Sequence, residues 1–407
     1  MVVPFFRPEI DESDIAAVVE TLRSGWITTG PKVQEFEATF ARYVGARHAV
    51  ALNSCTAALH LALAALGIRR GQAVLVPTLT FAATAEVVRY FDATPMFVDV
   101  DPETLCMDPA AVQAALAGPH RAEIVAAIPV HYAGQMAPMP QLAPLLRDAG
   151  CSIVEDAAHA LPAAVRDPMR GVWIGVGALS DVACFSFYAN KTITTGEGGM
   201  ATTANAALAR TMRSLSLHGM SRDGWTRFRT GSSWDYAITA PGFKYNMTDV
   251  AAALGVRQLR RANQFRARRA QIAAQYTAAF ANIEGIELPR ERPDRQHAWH
   301  LYVVRLRPEH QRAGRNDVIR ELARRGVATS VHWRPLHMQP YYRDRYAHRP
   351  DDFPVALREW QRMISLPIFP RMTDADVDHV ITVVRETIAW AGVRGGRTGM
   401  PRRPAVR

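Results

Sequence analysis

Short hydrophobic runs alternate with longer amphipathic stretches through the first 250 residues of the chain. This alternation predicts an α/β domain with a mainly parallel sheet, because parallel strands are joined by helical crossovers. The predicted strands are His48–Leu52 and residues 73–76, 96–100, 124–131, 152–155 and 182–187. Residues 57–66 and 139–146 have the length and periodicity of crossover helices.

The pattern changes at about residue 251. Residues 252–280, rich in Arg and Ala, predict one long helix that leads out of the first domain. Beyond it the pattern predicts two strands and two helices, at 300–306 and 328–332 and at 315–325 and 374–391. Thr373 is the predicted N-cap of the last helix. These elements indicate a smaller α+β domain.

The chain length of 407 residues favours two domains, since single cores stop growing at roughly 250–300 residues. We predict a large α/β domain over residues 1–250 and a small α+β domain over 251–393. Residues 394–407, rich in Gly, Pro and Arg, predict a mobile basic tail.

The formal net charge of +10 suits either nucleic acid or a substrate that carries a diphosphate. A DNA-binding regulator is the less supported alternative, because no helix-turn-helix, zinc-finger or basic-helix pattern stands out. No apolar run approaches the ~18 residues of a membrane helix, and Met1 to Arg7 lack the features of a secretory signal. We therefore expect a cytoplasmic location and no membrane partner.

The four cysteines lie far apart and form no CxxC pair, which argues against a disulfide framework and a thiolate metal site. His297 and His300 could suggest a metal, but the residues after them are typical of a strand, on which positions i and i+3 face opposite ways. His332 and His337 form a second such pair. We expect no metal.

The most informative segment runs from Cys184 to Met200, with the sequence CFSFYANKTITTGEGGM. A buried-type strand is followed by Lys191 and then by three glycines. Burying an ammonium group is costly unless the group is used, and a lysine amine that becomes neutral in a cleft can form an imine with a carbonyl cofactor. The alternative is a surface lysine in a glycine-rich turn.

Another apolar strand ends in Glu155 and Asp156. Ligands of open α/β sheets bind at the carboxyl ends of the strands, so Asp156 is placed to meet a bound ring. Pyridoxal phosphate (PLP) needs a carboxylate beside its pyridine nitrogen to act as an electron sink. The alternative is an Asp that caps the following turn.

A third segment passes from a strand through Ser54, Cys55 and Thr56 into a helix. The free N–H groups of a helix N-terminus, with the hydroxyls of Ser54 and Thr56, make a candidate phosphate site. Ser and Thr also cap many helices that bind nothing.

The order of these elements, with Lys191 in an SFxxxKxITTGEGG pattern, resembles the nucleotide-sugar aminotransferases of the DegT/StrS family. The resemblance extends over nearly the whole chain. It includes GWITTGP at residues 25–31, GFKYNMTD at 242–249 and SVHWRPLH at 330–337.

The resemblance implies a fold-type I homodimer with both active sites at the subunit interface. It also implies that Lys191 carries PLP as a Schiff base, that Asp156 pairs with the pyridine nitrogen and that His159 neighbours the phenolic oxygen. Phe81 would stack on the ring. The phosphate would be held by Ser186, by the backbone around Cys55 and Thr56, and by Asn246 of the partner chain. Many relatives have glycine where Cys55 stands.

The reaction implied by the resemblance transfers an amino group from L-glutamate to a nucleotide-linked keto sugar, with pyridoxamine phosphate as the intermediate form of the cofactor. One site serving both substrates in turn predicts ping-pong kinetics. Arg334 and Lys244 are candidates for the diphosphate. The KTITTGEGG form resembles relatives that aminate C4 of a 4-keto-6-deoxyhexose more than those that act at C3. Another PLP-dependent sugar-modifying activity is the alternative, although relatives that dehydrate a deoxysugar carry histidine at the position of Lys191.

Overall fold

The computed structural model describes residues 1–221 and 235–392. The predicted basic tail at 394–407 lies outside these residues. In the described part, the strands in chain order are β1 His48–Leu52, β2 Ala73–Pro77, β3 Thr94–Val98, β4 Ile124–Ala127, β5 Ser152–Asp156, β6 Ala164–Arg166, β7 Trp173–Gly175, β8 Val182–Ser186, β9 Gly199–Thr203, β10 Ile286–Glu287, β11 Arg295–Gln296, β12 Tyr302–Leu306 and β13 Met363–Leu366.

The helices of the same residues, in chain order, are α1 Glu12–Arg23, α2 Pro31–Val44, α3 Cys55–Ala65, α4 Ala82–Arg89, α5 Pro109–Ala117, α6 Met139–Asp148, α7 Ala206–Leu215, α8 Asp249–Phe280, α9 Arg315–Arg324, α10 Pro340–Tyr346, α11 Pro354–Arg362 and α12 Asp374–Gly392. None of them is long and apolar enough to cross a membrane.

A seven-stranded sheet has the order β1-β9-β8-β5-β4-β2-β3. The pairs from β8 to β3 are parallel, whereas β9 runs antiparallel to both of its neighbours. The predicted α/β fold with a mainly parallel sheet is therefore confirmed. Since β9 starts where β1 and β8 end, with Gly199 opposite both Leu52 and Ser186, one edge of the sheet gathers the ends of β1, β5 and β8.

Two hydrophobic clusters pack against this sheet. Phe40, Phe185 and Leu142 belong to one, and Leu61 and Val154 belong to the other. Successive side chains of a strand point to opposite faces, which is why each buried strand contributes to both clusters. The buried strands therefore carry apolar residues on both faces, although β5 ends in the buried acids Glu155 and Asp156.

A third cluster joins the end of α8 to β12, β13 and α12, with Tyr276, Tyr302 and Val380 among its members. The antiparallel sheet β10-β12-β13 packs in this cluster.

Helix α8 begins three residues before the predicted start, because the hydroxyl of Thr248 accepts from the Ala251 N–H and caps the helix. Thr373 caps α12 as predicted, accepting from the Asp376 N–H at 3.1 Å.

The predicted strand at 328–332 is wrong. Ser330 forms one isolated bridge with Ser365, and Val327 pairs with Val3. Residues 327–330 pair with two different segments, one residue each, and therefore form no continuous strand. Several other boundaries differ by one or two residues, and β3 spans Thr94–Val98 instead of 96–100. The largest difference is in β4, which ends at Ala127 instead of continuing to residue 131.

Candidate active site

A cavity of about 410 Å³ opens at the sheet edge that gathers the ends of β1, β5 and β8. Eight of the nine residues predicted for the site line it, namely Ser54, Cys55, Thr56, Phe81, Asp156, His159, Ser186 and Lys191. Segments separated by more than 130 residues in sequence thus meet in one place. The ninth predicted residue, Asn246, does not line the cavity of its own chain.

Lys191 follows β8 in a turn in which its backbone N–H donates to the Tyr188 carbonyl at 2.9 Å. The next residues fold back on the strand, since the Thr195 N–H and the Thr194 hydroxyl both donate to the Phe187 carbonyl. Removal of water from the ammonium lowers the pKa of Lys191 to about 8. At pH 7 about one tenth of this amine is then neutral and nucleophilic, far more than for a lysine with an ordinary pKa.

The carboxylate of Asp156 accepts two hydrogen bonds at the carboxyl end of β5. One comes from the Thr84 hydroxyl at 2.8 Å and the other from the Ala158 N–H at 3.1 Å. Burial raises the pKa of Asp156, while these two bonds and the charge of Lys191 act in the opposite direction. A nearby cation therefore strongly stabilises the ionised form of this buried carboxylate.

The N-terminus of α3 forms a cradle against β9. Ser54 caps the helix by accepting from the Ala57 N–H at 3.1 Å, and the first N–H groups of a helix have no partner within the helix. A Cβ on Gly199 would lie 2.3 Å from the Ser54 carbonyl carbon and 2.5 Å from the Cys55 nitrogen. Only glycine permits this approach, and the resulting cradle fits a phosphate group.

Cys55 is the first residue of α3 and lines this cradle. Burial, with the charge of Asp156 added, raises the pKa of its thiol well above the ordinary value. The side chain is therefore a neutral thiol near pH 7 and does not repel an anion.

The wall opposite the sheet consists of aromatic rings from distant segments. The ring of His159 lies between Trp333 and His300, with centroid distances of 5.2 Å and 4.2 Å. Burial and the charge of Lys191 hold the pKa of His159 well below its usual value, so this imidazole is neutral. His332 also faces the cavity, and its Nδ1 pairs with the Ser365 hydroxyl at 2.8 Å.

Three of these wall residues were not predicted as site residues. His332 and Trp333 belong to the SVHWRPLH motif, which was a signal for them, whereas His300 was considered only as a metal ligand. Within residues 1–221 and 235–392 no three His, Cys, Asp or Glu side chains are grouped so as to hold a metal ion.

Phe81 and Asn246 lie at the margins of the site. Phe81 is 56% exposed, and its ring is 6.0 Å from that of Trp333. The Asn246 amide donates to the Thr29 hydroxyl at 2.7 Å, and its Oδ1 accepts from the Lys244 ammonium. Asn246 is therefore held beside Thr29 and the end of β1, and it does not line the cavity.

A lysine with a lowered pKa, a buried carboxylate and a phosphate cradle lie together at one edge of a mainly parallel sheet, as a fold-type I PLP-dependent enzyme requires. These groups fit the cofactor chemically, since PLP needs an amine for its aldehyde, a carboxylate for its pyridine nitrogen and N–H donors for its phosphate. Residues 8–385 match the DegT/DnrJ/EryC1/StrS aminotransferase family, and the chain belongs to that family.

Relatives and solved structures agree with this assignment. The chain is 43% identical to the spore coat polysaccharide biosynthesis protein SpsC of Bacillus subtilis (strain 168), over 96% of this chain and 98% of that protein. It is similar to the putative sugar aminotransferase Spr1654 of Streptococcus pneumoniae in its PLP form, with a TM-score of 0.86, 33% identity and coverage of 96% of this chain and 100% of that one.

The chain also resembles DesV of S. venezuelae, solved in complex with a ketimine intermediate, with a TM-score of 0.83 and 34% identity over 94% of this chain and 95% of that one. The protein is a PLP-dependent sugar aminotransferase.

Proposed function

We propose that the protein transfers the amino group of L-glutamate to C4 of a nucleotide-linked keto-deoxysugar, in amino-sugar biosynthesis. The observation that carries this proposal is the position of Lys191, an amine with a lowered pKa, in a cavity that continues into an open groove. The cytoplasmic location remains a prediction.

The groove supports a substrate larger than an amino acid. It has a volume of about 690 Å³ and shares Thr80, Phe81 and Trp333 with the cavity. Arg334 and Tyr341 line its far part. An exposed tyrosine offers a stacking face and a guanidinium pairs well with phosphate, which are the contacts that a nucleotide diphosphate requires. Of the two predicted diphosphate ligands, Arg334 lines the groove and Lys244 does not.

PLP supplies the electron sink that makes the carbon beside the transferred nitrogen acidic. In the first half of the reaction, Lys191 Nζ takes the proton from the α-carbon of glutamate. In the second half, Lys191 Nζ returns a proton to the sugar carbon that receives the amino group. Asp156 would hold the proton on the pyridine nitrogen of bound PLP. The rings of His159, His300 and Trp333 pack together as one wall of the same cavity.

We also propose that two chains form a homodimer in which Asn246 of each subunit contacts the phosphate bound by the other. Asn246 lies outside its own cavity, beside Thr29 and Lys244. Mixing the inactive homodimers Lys191→Ala and Asn246→Asp tests this idea. After subunit exchange, one site of each mixed dimer has both defects and the other has neither, so activity returns. Proven exchange without recovery would exclude the shared site.

The substrate assignment is tested with a panel of nucleotide keto sugars and L-glutamate, with release of 2-oxoglutarate as the readout. The proposal predicts turnover with 4-keto-6-deoxy sugars linked to a nucleoside diphosphate, and little with the free sugars. Faster turnover of 3-keto sugars would contradict the C4 preference alone. Equal turnover of free and nucleotide-linked sugars would contradict the role of the groove.

A further inference from the structure

His300 is an unassigned side chain of the cavity wall. Its ring is 4% exposed, faces the cavity and packs 4.2 Å from the ring of His159 at an angle of 40°. Within the residues that the structure describes, neither ring has a hydrogen-bond partner for its Nδ1. The two imidazoles therefore meet in a tilted ring contact, and hydrogen bonds at Nδ1 do not fix their orientation.

The backbone that carries His300 is held in a strained turn. Trp299 has φ +51°, a conformation that bulky residues rarely adopt. Backbone outliers of this kind persist when surrounding contacts over-determine them, and they cluster at functional sites. In this turn, the Ala298 N–H donates to the Gly134 carbonyl and the Leu301 N–H donates to the Ala133 carbonyl.

Arg269 provides a further restraint on the same turn from helix α8. Its Nη1 donates to the carbonyls of Trp299, His300 and Ile368 at 3.3, 3.2 and 2.6 Å. The side chain is 2% exposed, and no Asp or Glu within the described part of the chain lies within ion-pair distance of it. A buried guanidinium paired only with carbonyls is costly, so its place behind the active site suggests a functional constraint.

Close packing fixes the opposite side of the turn. A Cβ on Gly134, which has φ +101°, would lie 3.0 Å from the His159 carbonyl oxygen and 3.0 Å from the His300 nitrogen. The backbone at His300 and the backbone at His159 therefore both pack closely against Gly134.

We propose that His300 is a positioning residue whose ring holds the imidazole of His159 against Trp333 and thereby fixes the orientation of the bound cofactor ring. This inference rests on the contact of His159 with the cofactor that the family resemblance implies, and it does not depend on the sugar substrate. The ring face of His300, and not its nitrogen atoms, carries the effect.

Two substitutions distinguish the effect of the aromatic ring of His300 from the effect of its nitrogen atoms. His300→Phe keeps an aromatic face, whereas His300→Asn keeps a polar nitrogen or oxygen near Nδ1 and removes the ring. Apoenzyme is reconstituted with PLP, and the dissociation constant and the visible circular dichroism of the bound cofactor are measured. We expect His300→Asn to weaken PLP binding by about three- to tenfold, the contribution of one aromatic pair, and to reduce the dichroic band. His300→Phe keeps both close to wild type.

A double-mutant cycle with His159→Asn tests the path of the effect. If His300 acts through His159, adding His300→Asn to His159→Asn changes neither PLP affinity nor dichroism further. His60→Ala is the control, because His60 is equally buried at 5% exposure but does not line the cavity. It is expected to lower stability without changing the dichroic band of the bound cofactor.

Several results would overturn the inference. These are retention of affinity and dichroism by His300→Asn, equal loss in His300→Phe, and additive effects of the His159 and His300 substitutions. A His159→Asn variant with unchanged dichroism would also overturn it and would remove His159 from the cofactor. None of these readouts uses a sugar, so failure of the proposed substrate appears separately, as normal dichroism without sugar turnover.

Discussion

Replacement of Asp156 by Asn tests the polar contacts of the cavity and the role of one charge. The asparagine oxygen can still accept from the Ala158 N–H, and the Thr84 hydroxyl can reverse its bond because it also pairs with the Thr80 hydroxyl at 2.8 Å. We therefore expect the variant to fold and to bind PLP. The charge that keeps the pyridine nitrogen protonated is lost.

The expected size of the effect follows from that single contact. A hydrogen bond to a charged group contributes roughly 1.5–3 kcal/mol, and about 1.4 kcal/mol corresponds to a factor of ten. The contact alone thus predicts a loss of about 10- to 150-fold in kcat, and the weaker electron sink adds to it. The loss should appear in the glutamate half-reaction, followed as the change in cofactor absorbance under single-turnover conditions.

Asp99→Asn is a matched control for this substitution. Asp99 also accepts backbone N–H groups through its carboxylate, those of Val355 and Ala356 at 2.9 Å each, and it does not line the cavity. This control should lose stability but keep its rate per folded enzyme. An Asp156→Asn variant that retains most of its half-reaction rate would refute the role assigned to Asp156.

Two further predictions concern the amine and the cradle. In the apoenzyme, acetylation of Lys191 with acetic anhydride should rise as the pH passes through about 8, because burial lowers the pKa of this amine. An inflection near 10.5, the ordinary pKa of a lysine, would contradict the burial argument. Gly199→Ala should destabilise the protein by about 1–3 kcal/mol through overpacking and weaken PLP binding, because its Cβ would meet the backbone of Ser54. Gly150→Ala is the control, because Gly150 has a φ of +70° but its Cβ would have nothing within 4 Å. It should lower stability without changing PLP affinity. Equal PLP affinity in the two variants would refute the role of Gly199 in the phosphate cradle.

Local patterns were sufficient to predict much of this fold and site. The strands that carry Asp156 and Ser186 are apolar runs whose ends mark the binding edge, and Ser54 precedes a helix whose N-terminus meets that edge. These features depend on the chain near each residue, so a single sequence reveals them.

The cavity wall could not be predicted in the same way. His300 falls in a segment whose pattern predicts a strand. In the structure, Trp299 has a positive φ and β12 begins only at Tyr302, so His300 lies before the strand with its ring against His159. That geometry depends on Arg269, about thirty residues away in sequence, and on the loop at Gly134. Long-range packing of this kind leaves no periodic signal, and it also explains why residues 328–332 do not form a strand.

The bond between Lys191 and the cofactor is the central claim, and borohydride reduction of the holoenzyme tests it most directly. The chain contains three lysines, Lys32, Lys191 and Lys244, so the attachment point can be identified in one digest by mass spectrometry. The account predicts that the reduced cofactor is found on the peptide that contains Lys191 and on neither of the others. A stable label on Lys32 or Lys244, with Lys191 unmodified, would contradict it.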